Sequence, residues 1–174
     1  MVPVINEFYL ENLETVKRTF QEEGQVVLFD FFTKDFFSLL KKIAEKKPRP
    51  EKDPLLHSFS TVSVDLPELP FLRSLFKKQP DFRSYRFGWK DYTLLHDLDM
   101  QKPGIDIIID LAEDWQEKWG GSVYYVDGTG NFTKMPIKAN TLILVKRTSG
   151  NNRFIKYVNH LAGTRKRSLL IGSL

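Results

Sequence analysis

Apolar residues recur at helical intervals in the first part of the chain and crowd into short blocks after it. In ENLETVKRTFQEEG, the positions Leu10, Leu13, Val16 and Phe20 share one helical face, and Gly24 ends the pattern. QVVLFDFF follows as a short apolar strand. Thr33 then stands as a candidate N-cap for KDFFSLLKKIAEKK, whose Phe36, Phe37, Leu39, Leu40 and Ile43 form an apolar stripe. KKPRPEKDPLLHS is broken by proline and rich in charge, which predicts a loop, and Phe71, Leu72, Leu75 and Phe76 predict a short helix after Pro70.

From about Tyr85 onward the pattern is one of strands and turns. SYRFGW, DYTLLHD, IDIIIDL, GSVYYVD, NTLILVKR, RFIKYVN and RSLLIGSL are separated by KPG, WGG, DGTGN and TSGNN. Helices first and many short strands later predict a mainly β fold in which helices pack on an antiparallel barrel or sandwich. The helices need the sheet to cover their apolar faces. One domain over 1–174 is therefore expected, with helical support over about 1–82 and a β core over about 83–174. No internal repeat divides the chain.

Composition removes several chemistries. There is no cysteine, so disulfides, thiolate zinc sites and cysteine nucleophiles are excluded. No apolar run reaches the roughly 18 residues of a membrane span. The acidic start MVPVINEFYLENLE is unlike a signal peptide, so a cytoplasmic protein with no membrane association is expected. The net charge of +4 is modest, and the lysine pairs Lys41–Lys42, Lys46–Lys47 and Lys77–Lys78 are spread out rather than built into a stripe. Nucleic acid is thus a weaker partner reading than protein or peptide.

The candidate chemistry rests on few residues. Of the three histidines, His57 lies in the polar segment and reads as a surface residue. His96 ends DYTLLH, where strand alternation puts Tyr92, Leu94 and His96 on one face. His160 ends RFIKYVNH, with Phe154, Lys156 and Val158 on its face. Each histidine alone is as readily a satisfied rim residue as a ligand. Acids adjoin His96 at Asp97 and Asp99, and two histidines with one carboxylate make the facial set of non-heme iron(II) enzymes. Arg165, Lys166 and Arg167 precede the last strand, where a fixed cation would pair with the far carboxylate of a dicarboxylate cosubstrate, or would simply be a charged turn. Trp115, Trp119, Gly120 and Gly121 read as architectural, and Asn140 as a residue that satisfies backbone groups at a strand start.

The run WQEKWGGSVYYVDGTG, then MPIKANTLILVKR, then RFIKYVNHLAGTRKRSLLIG resembles the C-terminal half of the prolyl-hydroxylase-type 2-oxoglutarate/iron(II) dioxygenases. VLFDFFTKDFFSLL resembles their entry strand and helix, so the likeness spans most of residues 26–172. It implies a double-stranded β-helix, or jelly roll, packed against two or three helices, with Fe(II) and 2-oxoglutarate as cofactors. It further implies an enzyme that hydroxylates a C–H bond, with a prolyl or similar residue of a protein or peptide as the expected substrate. His96 and His160 would be the metal-binding histidines, and Tyr92 would hydrogen-bond the cosubstrate. In the family an arginine two before a small residue holds the cosubstrate carboxylate. Before Ser168 that position is Lys166, with Arg165 and Arg167 beside it.

One departure bears on the metal. The family's carboxylate ligand lies two residues after the first histidine, and that position is Leu98. A bulge would turn Asp99 inward, and a strand ending at His96 would free Asp97 instead. Asp99 is the favoured ligand and Asp97 the alternative. If neither serves, the chain is a catalytically silent jelly-roll binding module that has lost the metal. Substrate recognition would fall to residues 46–60 and 147–152.

Overall fold

The strand blocks lack polar alternation because the large sheet they form is covered on both faces. The protein is described by a computed structural model of residues 4–94 and 102–174. In chain order it comprises α1 (Glu7–Glu11), α2 (Leu13–Glu23), β1 (Gln25–Leu28), α3 (Lys34–Ala44), β2 (Arg49–Asp53), β3 (His57–Val64), α4 (Pro70–Phe76), β4 (Phe82–Phe87) and β5 (Tyr92–Thr93). β6 (Gly104–Asp110), β7 (Val123–Val126), β8 (Phe132–Lys134), β9 (Thr141–Arg147), β10 (Asn152–Ile155) and β11 (Arg167–Ser173) follow. Short 3-10 turns cover Glu117–Trp119 and His160–Ala162.

The large sheet runs β1-β9-β6-β11-β4-β3-β2, with β5 also on β3, and the small sheet runs β10-β7-β8. Every pairing is antiparallel. Two sheets face to face with helices behind the larger make a mainly β jelly roll, as expected. Alternation sorts the apolar side chains into two layers. Ile107, Ile109, Leu142, Leu144 and Leu170 meet the helices through Phe20, Phe36, Leu40 and Leu72. Ile108, Ile143, Val145, Leu169 and Ile171 face the other way, towards Val123, Tyr125 and Ile155 of the small sheet. Gly24 caps α2 at φ 70°, and its N–H donates to Phe20 O at 2.9 Å.

Several local expectations change. Residues 1–82 supply β1, β2 and β3 to the large sheet besides the helices. The loop expected over KKPRPEKDPLLHS contains β2, and with β3 it forms a hairpin in register Arg49↔Thr61 to Asp53↔His57. Pro50 is tolerated there because β2 is an edge strand. His57 lies on β3 rather than in a surface loop. It is half-buried and stacked on Phe59 at 4.8 Å. Phe29, from the apolar block QVVLFDFF, and Leu39, from the apolar stripe of the second long helix, are exposed at 41% and 44%. No described helix is long and apolar enough to cross a membrane.

The entry to β7 depends on two glycines. Gly120 and Gly121 have φ of 82° and 73°, and a Cβ on Gly120 would stand 2.1 Å from Tyr157 O. Gly120→Ala is therefore expected to lower stability by about 2 kcal/mol or more. Gly128→Ala, where an added Cβ meets nothing within 4 Å, should stay within about 0.5 kcal/mol of wild type. Equal urea midpoints for the two variants would refute this account.

Candidate functional site

Between the sheets, β6 presents Asp106, Ile108 and Asp110 on one face, an apolar residue bracketed by two acids. Asp106 is 1% exposed and Asp110 0%. Each is held where the interior also receives arginine. Arg147 on β9 brings Nε to 3.0 Å from Asp106 Oδ1, and Arg153 on β10 brings Nη1 to 2.9 Å from Asp106 Oδ2. Tyr125 Oη donates to Asp106 Oδ2 at 2.7 Å, and Ser173 Oγ donates to Oδ1 at 2.8 Å. Burial alone would raise the Asp106 pKa, but Arg153 and Arg147 together with the Tyr125 and Ser173 hydroxyls hold it below the ordinary carboxylate value. Burial, reinforced by the Asp106 charge, raises the Tyr125 phenol well above its usual pKa.

The other end of the barrel carries one pair. Arg167 opens β11 and is fully buried. Its Nη2 donates to Asp110 Oδ2 at 2.6 Å and its Nη1 donates to Gly121 O. The second Asp110 oxygen, Oδ1, accepts from Ala112 N at 3.0 Å. Glycine suits position 121 by its positive φ and because a Cβ there would stand 3.2 Å from Val158 Cγ2. Trp115 Nε1 in turn donates to Gly120 O at 2.9 Å. The register Leu169↔Asp110 and Ser173↔Asp106 separates the two charged ends by four strand residues, about 13 Å.

The expected site residues are placed as follows. His96, Asp97 and Asp99 lie outside the described residues. Of the three cations before the last strand, only Arg167 turns inward. Lys166 is exposed over Gly88, and Arg165 is exposed with its guanidinium 5.0 Å from the Trp119 ring centroid. Tyr92 and Leu94 share a face, while Thr93 is the buried residue of β5 and its Oγ1 accepts from Ile155 N at 2.8 Å. Tyr92 Oη donates to Pro54 O at 3.1 Å.

His160 does not end a strand. β10 stops at Ile155, and residues 156–159 cross to the Gly120 region, with Gly121 N donating to Lys156 O and Asn159 N to Trp119 O. Asn159 then caps a 3-10 turn through Leu161 N at 2.9 Å, and His160 is exposed on that turn. Val158 N donates to Asp91 O, so β5 runs from beside Val158 towards Ile155 and away from His160. The inner faces of β5 and β10 carry Thr93, Arg153 and Ile155, all buried. Among the described residues no three His, Asp or Glu side chains gather as a metal-binding group. Asn140 behaves as expected, bonding Phe32 N and O at 3.0 and 2.9 Å.

No family model matches the sequence, and no curated protein does. Solved structures match closely in shape. A Pseudomonas putida prolyl-4-hydroxylase aligns at TM-score 0.69 and 16% identity over 94% of this chain and 98% of that one. A Trichoplax adhaerens prolyl hydroxylase in complex with a hypoxia inducible factor peptide fragment aligns at 0.72 and 9% over 97% and 93%. The fold is that of the 2-oxoglutarate/iron(II) oxygenases. A Burkholderia pseudomallei oxygenase of that family aligns at 0.66 and 13% over 99% and 95%.

Oxygenases of this fold use iron(II) and 2-oxoglutarate, and among the described residues the cation best placed to hold the dicarboxylate is not free to do so. The inward cation of the last strand is already neutralised by Asp110 and has no exposed surface. The interior acids were not anticipated from sequence. Their signal was the period-two spacing of Asp106 and Asp110 around Ile108 inside an apolar run.

Asp106→Asn would remove the buried carboxylate that meets both Arg147 and Arg153 and is expected to cost about 3–5 kcal/mol near neutral pH. Because the folded pKa is lowered, the charged carboxylate contributes fully above the ordinary carboxylate range. That contribution is lost as pH falls through the lowered value. The gap between wild type and variant in urea unfolding should accordingly narrow on acidification. A gap that widened would contradict the assignment.

Proposed function

We propose that the chain is a jelly-roll binding module on the oxygenase fold that does not turn over 2-oxoglutarate. The observation that carries this is the inner face of the β5–β10 pair. Thr93, Arg153 and Ile155 fill it, and His160 stands on an exposed turn behind the start of β5. A metal bound between those strands would need ligands where an ion pair and an apolar side chain are packed. The proposed partner is a protein or peptide, the class held by the Trichoplax neighbour. Its proposed seat is the cavity of about 380 Å³ lined by residues 92–94 and 154–157. Exposed aromatic side chains favour such contacts.

The second reading is a hydroxylase of a prolyl or similar residue that uses Fe(II) and 2-oxoglutarate. It is favoured by the near-complete overlap with prolyl hydroxylase structures. His96, Asp99 or Asp97, and His160 would be its metal ligands. Anaerobic addition of Fe(II) and 2-oxoglutarate to the full chain, followed by air, separates the two. The binding-module reading expects no visible charge-transfer band and no succinate. A band lost in both His96→Ala and His160→Ala, with succinate formed in air, would establish the hydroxylase instead.

A further inference from the structure

A guanidinium with no solvent contact must be neutralised where it stands, and among the described residues the carboxylate that meets Arg167 is that of Asp110. Both oxygens of that carboxylate are committed. Oδ2 receives Arg167 Nη2 and Oδ1 receives Ala112 N. A cation and a backbone N–H therefore converge on one carboxyl group, the donor arrangement that recognises a free carboxylate. Here the carboxylate is supplied by the neighbouring strand on a single methylene tether.

We propose that Asp110 is a built-in carboxylate ligand, and that it keeps the Arg167 site closed to free carboxylates, 2-oxoglutarate included. The proposal deepens the non-catalytic reading and rests on it in treating the barrel interior as closed. Its test uses no iron, so the two can fail separately. A chain that binds Fe(II) yet leaves Arg167 untouched by 2-oxoglutarate would sink the first and leave the second standing. Cutting the Asp110 side chain back to its Cβ removes the carboxyl but keeps both donors. The space left has the size and polarity of a formate ion.

The experiment is chemical rescue followed by thermal unfolding. Wild type should respond to formate and to 2-oxoglutarate no more than to the same concentration of chloride. Asp110→Ala should melt about 10 °C lower, as expected for an uncompensated buried charge. It should recover with rising formate but not with chloride or formamide, and the recovery should vanish in Asp110→Ala/Arg167→Met. If the single variant does not fold in chloride but the double variant does, the unneutralised guanidinium is the defect and the proposal is supported. A folded Asp110→Ala that formate leaves unchanged would overturn it. On wild type alone, the side-chain N–H signals of Arg167 in NMR should be unmoved by 2-oxoglutarate, and a saturable shift would likewise overturn it.

Discussion

Charge placed between two packed sheets has nowhere to be hydrated, so each buried guanidinium must meet its counter-ion inside the barrel. In this protein that requirement converges on β6. Its Asp106 and Asp110 answer arginines from three other strands, β9, β10 and β11. Arg153 belongs to the small sheet and Asp106 to the large one, so this contact ties the two layers by charge as well as by apolar packing. Opposite charges drawn together across the layers constrain how the sheets face each other in a way that Ile108 and Ile143 alone do not. The geometry around Gly121 serves the same end, because its carbonyl is the second acceptor for Arg167.

Among the described residues, the interior charges of β6, β9, β10 and β11 are engaged with one another. The solved oxygenases share the architecture at low identity, and architecture alone does not specify chemistry. Here the space between the sheets is occupied by ion pairs, hydroxyl donors and aliphatic side chains. Among the described residues, one open cavity lies where Tyr92, Phe154 and Tyr157 meet.

The architecture was largely readable from local pattern. β4, β6, β7, β9, β10 and β11 each coincide with an apolar block, and the helices around Val16, Leu40 and Leu72 with helical spacing. What was missed lay where local chemistry gives the opposite signal. Pro50 and the charges of β2 read as a loop because an edge strand tolerates both, and β3 buries small hydroxyl-rich residues such as Thr61 beside Phe59. The candidate site was harder to read. Asp110 and Arg167 are 57 residues apart, and only the fold brings them together. Counting back from Ser168 put Lys166 in the inward phase, whereas alternation with buried Leu169 and Ile171 gives that place to Arg167. Alternation through Phe154, Lys156 and Val158 carries RFIKYVNH on as one strand and makes His160 its end. The crossing to Gly120 and the Asn159 cap end the strand earlier.

β2 is one of the two edges of the large sheet, and its Arg49, Pro50, Glu51 and Lys52 are all exposed. Unpaired backbone on a sheet edge is a template on which another molecule's strand will grow. Proline removes one of the donors that such growth needs, and a strand of mixed charge must lose hydration to accept a neighbour. The segment whose composition disguised it as a loop is thus also the one that stops the sheet from propagating between molecules. Within the large sheet β2 contributes least to the core, and its charges and proline make it a poor template for a strand from another copy.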